Sequence, residues 1–295
     1  MKPRRPAALV LVAAAGLVAA AVAASAQQWP ASWKVAQAPL RIFGNVYYVG
    51  ARGVSAILIT SADGHVLLDA PMQENAAMLV GNITALGFRV EDVKLIVNSH
   101  AHFDHAGAIA ELQRLSGATV AARAPSSQVL GQGRSGPDDP QDGVVPDFPP
   151  VRAVRTIAAG DTLRVGPVAI TAHATAGHTP GGTSWTWRSC QGGRCLDMVY
   201  ADSLSPASGE RFLFTRSTQY PTVLRDFDAA FSTLAALPCD LLLTPHPDVS
   251  NLWQRLARRD QGDADALVDR AACTRYVESA RAALQVRVDR EMTAR

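Results

Sequence analysis

The chain has no surplus of charge of either sign. Lysine and arginine number 28 against 26 aspartates and glutamates in 295 residues, a formal net charge of +2. That balance argues against a partner held mainly by electrostatics, such as nucleic acid or an anionic lipid surface. Serine-hydrolase patterns are missing as well, since neither Ser-x-x-Lys nor Gly-x-Ser-x-Gly stands where it would work. There are only seven histidines and no His-rich tract, which argues against a zinc-storage protein. Cysteine is scarcer still, with Cys190, Cys195, Cys239 and Cys273 all in the second half of the chain.

The first residues read as a processing signal. Lys2, Arg4 and Arg5 precede an Ala/Val/Leu-rich run from Ala7 to Ala24, and Ala24-Ser25-Ala26 has the small-x-small form of a cleavage site. Residues 1–26 are therefore expected to be a secretory signal peptide and 27–295 one mature domain. A membrane anchor is the competing reading, because the apolar run is near the lower limit for spanning a bilayer. Arg4-Arg5 raises the twin-arginine route, against which Pro6 follows at once. Cleavage removes three positive charges and takes the net charge to −1. The mature protein is expected in the periplasm, without stable membrane association. In that setting the four cysteines read as two disulfides rather than zinc ligands. Three pairings are open, and Cys190 with Cys195, closing Gln191-Gly192-Gly193-Arg194, beside Cys239 with Cys273 is favoured.

The densest chemistry lies in Asn98-Ser99-His100-Ala101-His102-Phe103-Asp104-His105-Ala106-Gly107, directly after the apolar run Val93 to Val97. Three imidazoles and a carboxylate within six positions, at the end of a strand, suit Zn²⁺ or a similar borderline ion. A polar surface loop is the bland alternative, and the clustering stands against it. Two further histidines follow apolar runs among turn residues: His178 in Gly177-His178-Thr179-Pro180-Gly181-Gly182, and His246 in Thr244-Pro245-His246-Pro247-Asp248. The six candidate ligands are enough for two metals.

His100-x-His102-x-Asp104-His105, with His178 and His246 later, resembles the metallo-β-lactamase superfamily. Within it, Ala201-Asp202-Ser203-Leu204-Ser205-Pro206 and Gly177 to Trp185 resemble subclass B3 metallo-β-lactamases, and the likeness runs from about Trp29 onward. The resemblance implies His100, His102 and His178 on one zinc, and Asp104, His105 and His246 on the other. It also implies a Cys239–Cys273 bridge and a substrate-carboxylate role for Ser203 and Ser205. The implied reaction is attack of zinc-activated water on a β-lactam carbonyl, with Asp104 orienting the attacking group and a small-molecule β-lactam as the only partner of a monomeric domain. Some relatives place a tyrosine a few residues after the serines. This chain reads Ser208-Gly209-Glu210 there, which leaves oxyanion stabilisation to zinc.

Around these blocks, residues 40–50, 54–60 and 65–69 read as a strand meander turned at Asp63-Gly64. Asp69 at its end is expected either behind the metal site or in a turn, and His65 and His173 are expected to be structural. Helical spacing runs from Gln73 to Leu86, Gly107 to Leu115, Thr222 to Leu237 and Asp265 to Met292. The helix after His105 is expected to aim its N-terminal end at the site. Residues 131–150, rich in Gly, Pro and Asp, are expected to form an irregular wall of the site, with an inter-half linker as the alternative. Strands return at Thr156-Ile157, 161–165, 168–174, 185–187, 198–201 and 240–244. Alternating strands and helices argue for an α/β sandwich. The resemblance implies the four-layer αββα form, with two similar halves in one domain. Rival functions are a glyoxalase II-type thioesterase, for which Asp202 would bridge both metals, and an exported lactonase.

Overall fold

The computed structural model describes residues 29–294; the expected signal segment 1–26 lies outside the described residues. Seven strands form the first sheet: β1 Leu40–Phe43, β2 Val46–Tyr48, β3 Ile57–Ile59, β4 His65–Leu68, β5 Val93–Val97, β6 Thr119–Arg123 and β7 Arg155–Ile157, in that spatial order. The meander β1 to β4 is antiparallel, and β4 to β7 run parallel. Five more strands form the second sheet: β8 Thr162–Val165, β9 Val168–Ala174, β10 Thr183–Gln191, β11 Arg194–Tyr200 and β12 Leu241–Leu243. Here β8 to β11 are antiparallel and β11 pairs parallel with β12.

The helices are α1 Ala76–Ala85, α2 Phe103–Ala106, α3 Ile109–Ser116, α4 Ala124–Gln132, α5 Val223–Ala236, α6 Leu252–Asp260 and α7 Ala272–Thr293. Strand alternation sorts the apolar side chains into three layers. Leu95 and Val97 of β5 meet Ile170, Trp185 and Met198 between the sheets. Ile96 of the same strand points outward onto Leu79, Ile83, Ile109 and Leu112 of α1 and α3. In β12, Leu241 and Leu243 enter the inter-sheet layer, while Leu242 meets Phe227 and Phe231 of α5 and Val277 of α7. Three apolar layers between helix, sheet, sheet and helix make the αββα sandwich.

The structure differs from the expected elements at several places. The sheets are unequal, because β7 joins the first sheet beside β6 although it follows the loop that separates the halves. Strand β6 and helices α4 and α6 were not expected. The expected 265–292 helix starts at Ala272, since residues 261–271 are taken up by turns. Asp104 and His105 sit inside the short turn α2, and the helix expected after them opens at Ile109 as α3. The structure pairs Cys190 with Cys195 across the β10–β11 hairpin, and Cys239 with Cys273 at the start of α7.

The parallel pairs set where chemistry collects. Leu68 of β4 pairs with Val97 of β5, and Tyr200 of β11 with Leu243 of β12, so each pair ends together. Both pairs end at one edge of the sandwich, where hydrogen bonds join the sheets: Thr183 N–H donates to the Ser99 carbonyl at 2.8 Å and Ser55 N–H to Pro245 at 2.8 Å.

Candidate metal centre

That edge holds all six sequence-predicted ligands. His100 and His102 follow β5, Asp104 and His105 ride on α2, His178 follows β9 and His246 follows β12. Ring centroids of His100 lie 4.8 Å from His102 and 4.7 Å from His178, and the candidate ligand atoms of these three residues fall within 4.8 Å of one another. His100, Asp104 and His105 make a second such group. His246 approaches it from the other side: one Asp104 oxygen is 3.1 Å from His105 Nε2 and 3.5 Å from His246 Nε2. The loop is wound tightly enough that neighbouring residues feed both groups.

Four of the five imidazoles have one nitrogen occupied on the side away from the centre. His100 Nδ1 faces Asp202 Oδ1 at 2.8 Å, and His102 Nε2 faces Asp139 Oδ2 at 2.8 Å. His178 Nδ1 donates to the Ser205 carbonyl at 2.9 Å, with the Ser205 hydroxyl at 3.2 Å, and His246 Nδ1 donates to the Gly53 carbonyl at 3.1 Å. Donation from one nitrogen fixes the tautomer and leaves the other lone pair aimed inward, as metal-ligating histidines require. His105 is fully buried and neither ring nitrogen has a hydrogen-bond partner. Polar atoms orphaned in that way call for an explanation; a metal ion would satisfy Nε2, while Nδ1 faces Asp69 at 3.7 Å. With its mix of imidazole and carboxylate, the donor set fits zinc.

Electrostatics favour the same state. Burial, reinforced by the other imidazoles, holds His100 well below the ordinary histidine range. Burial with His102 pushes His178 down to about 4, and burial with His105 pushes His246 down to about 4. These rings are neutral at pH 7, ready to ligate without losing a proton. Burial alone would raise the Asp104 carboxyl, but His105, His246 and His102 more than reverse it and keep it ionised.

Partners outside the six candidate ligands complete the centre. Asp69, buried at a positive φ of 59°, accepts from Ser99 N–H, Ser99 Oγ and Tyr200 OH, each at 2.7 Å, and lies 3.7 Å from His105 Nδ1. It stands behind the centre, one of its two expected places. Asp202 is fully buried behind His100 rather than between the two groups, which removes the bridging aspartate that the thioesterase reading needs. A Cβ on Gly182 would come within 2.5 Å of Asp202 Oδ2, so glycine there lets the carboxylate reach His100. Asp139 and Gln141 come from the irregular loop at 133–154. Asp139 is buried against His102, Gln141 N–H donates to Asp139 Oδ1 at 2.8 Å, and the Gln141 amide nitrogen is 3.4 Å from His178 Nε2. The loop is therefore a wall of the site, not a linker. Of the residues expected to be structural, His65 packs edge-on to Phe88 and His173 pairs with Thr186 at 2.8 Å.

Ser203 and Ser205 line a cavity of about 430 Å³ that reaches His246. Asp139→Ala is expected to weaken metal binding at the His100, His102 and His178 group by about 10- to 100-fold, with Asp139→Asn losing less because an acceptor remains. Competition with a chromophoric chelator measures this, and unchanged affinity in the alanine variant would contradict the role given to Asp139.

Residues 49–268 match the family described as the metallo-beta-lactamase superfamily. Among solved structures, the Rm3 metallo-beta-lactamase is 53% identical, with a TM-score of 0.87 over 89% of this chain and 97% of that one. MEM-A1, a subclass B3 metallo-beta-lactamase isolated from a soil metagenome library, is 46% identical with a TM-score of 0.87, covering 89% of this chain and 100% of its own. The metallo-beta-lactamase SMB-1, in a complex with mercaptoacetic acid, is 40% identical with a TM-score of 0.84, over 88% and 99% of the two chains.

Proposed function

The chain belongs to the metallo-β-lactamase superfamily, and on that premise we propose that it is a subclass B3 β-lactamase that opens β-lactam antibiotics by zinc-dependent hydrolysis and so confers resistance. One zinc would be held by His100, His102 and His178, and the other by Asp104, His105 and His246. The observation that carries this reading is the outward tethering of four imidazoles, which leaves one lone pair of each aimed at the centre. With three protein ligands per metal, each ion would keep positions for water and substrate, which is the mark of a catalytic site. Zinc, when bound, supplies Lewis acidity for the lactam carbonyl and brings the pKa of water toward about 7.

The chain's own residues do the positioning. Asp104, kept ionised, accepts a hydrogen bond from the attacking water and orients it toward the carbonyl carbon. Asp202, Asp139 and the Gly53 carbonyl hold His100, His102 and His246 in fixed orientation, so that little reorganisation is left to the reaction itself. Ser203 and Ser205 offer hydroxyl donors to the carboxylate that β-lactam drugs carry beside the ring. The mature domain 27–295 would act as a monomer in the periplasm after removal of residues 1–26. In the described residues no helix is long and apolar enough to cross a membrane.

Native mass spectrometry of the mature protein is expected to count two zinc ions per chain. Ser203→Ala with Ser205→Ala is expected to raise KM for a penicillin more than it lowers kcat, because the serines bind substrate and transition state alike. One zinc per chain, or an unchanged KM, would each remove a part of this reading.

A further inference from the structure

We infer that the N-terminal segment 31–35 is a strap that positions His246, and thereby tunes the second metal site independently of the first; this rests on the ligand sets proposed above. Trp33 lies against the His246 ring, with centroids 5.1 Å apart and planes 23° from parallel. A flat aromatic neighbour restricts rotation of the imidazole about its own axis and keeps Nε2 turned toward Asp104. Trp29 stacks on Trp33 at 5.5 Å and contacts Phe103 at 4.8 Å, so the same aromatic group also braces the residue preceding Asp104.

The strap is tied to the one backbone group that orients His246. Gly53 N–H donates to the Ser32 carbonyl at 3.0 Å and Arg52 N–H to the Val35 carbonyl at 2.9 Å, while the Gly53 carbonyl takes the His246 Nδ1 proton. The fit at Gly53 is close: a Cβ there would meet Ser32 Oγ at 2.4 Å and Trp33 Cδ1 at 2.9 Å. The two metal sites therefore differ in support. His100 and His102 are each backed by a buried carboxylate, whereas His246, with 27% of its side chain exposed, has one carbonyl and the strap. Nothing in the strap touches His100, His102 or His178 through a ring contact or hydrogen bond in the described residues.

The test is zinc binding rather than turnover, by stepwise competition with a chromophoric chelator on the mature protein. Trp33→Ala should weaken the second zinc by about 10- to 100-fold, the range seen when a ligand's outer support is removed, and leave the first within about twofold. Trp33→Phe should restore most of the affinity. Gly53→Ala gives an independent check, because it keeps the carbonyl but pushes the strap away, and it should reproduce the Trp33→Ala result even if that variant folds poorly. If Trp33→Ala and Gly53→Ala, both folded by circular dichroism, bind two zincs as the parent does, the strap has no such role. Equal weakening of both sites would also overturn it, by making the segment a general support. Failure of the parent itself to bind a second zinc would instead count against the ligand assignment.

Discussion

Replacing Asp104 with alanine is expected to lower kcat/KM on a β-lactam by about 10²- to 10⁴-fold, the contribution of a positioned group that handles a proton in the transition state. Among the described residues, Asp104 is the one carboxylate grouped with both His105 and His246. Its oxygen lies between His105 Nε2 and His246 Nε2, so the substitution takes away what we propose to be a ligand of the second metal and the orienting acceptor together. His105 would also change. Asp104 and Asp69 hold its pKa up against the burial that would lower it, and with Asp104 gone that burial gains ground. The metal-free variant should still fold, because Asp104 adds no hydrogen bond to the sheet edge beyond the imidazoles. Steady-state kinetics at saturating zinc decide the matter, and a variant within tenfold of the parent would show that Asp104 neither ligates nor orients.

The second large effect is on stability. Cys239 and Cys273 are both buried and join the chain just before β12 to the first turn of α7 across 34 residues. By loop-closure entropy this bridge contributes about 3 to 4 kcal/mol, against about 2 for Cys190–Cys195, which closes a short exposed hairpin tip. Exchanging Cys239 and Cys273 for serine is thus expected to lower Tm by about 10 °C, at 2–4 °C per kcal/mol for a domain of this size. Because β12 delivers His246, the second metal should weaken before the protein melts. Calorimetry on the oxidised parent and the double variant measures the first effect, and equal melting temperatures would show that the α5–α7 layer does not need the bridge.

Much of the site was legible because its ligands obey local spacing. The strand expected at Val93 to Val97 has those bounds, and the four-residue ligand block follows from it. His178 and His246 were legible for the same reason, each standing where an apolar run gives way to turn residues. What spacing does not carry is the partner that arrives from elsewhere in the chain. Asp139 reaches His102 across 37 positions, Asp202 reaches His100 across 102 and the Gly53 carbonyl reaches His246 across 193. Asp202 was visible only as the bridging residue of the thioesterase rival, and its contact with His100 Nδ1 is a long-range pairing that spacing does not carry. Helix α4 carries local signals of its own, with Pro125 in its first turn and Gly133 in a left-handed cap, but its apolar spacing is weak. Strand β6, Thr-Val-Ala-Ala-Arg, has little β-branched character, and its place between β5 and β7 comes from tertiary pairing.

The central claim is tested most directly by following hydrolysis of a carbapenem by the purified mature protein through ultraviolet absorbance, with chelator and then with zinc restored. The account predicts ring opening that stops when zinc is removed and returns when it is added back. No ring opening by protein shown to hold two zinc ions would contradict it, and would turn attention to lactones as substrates for the same centre.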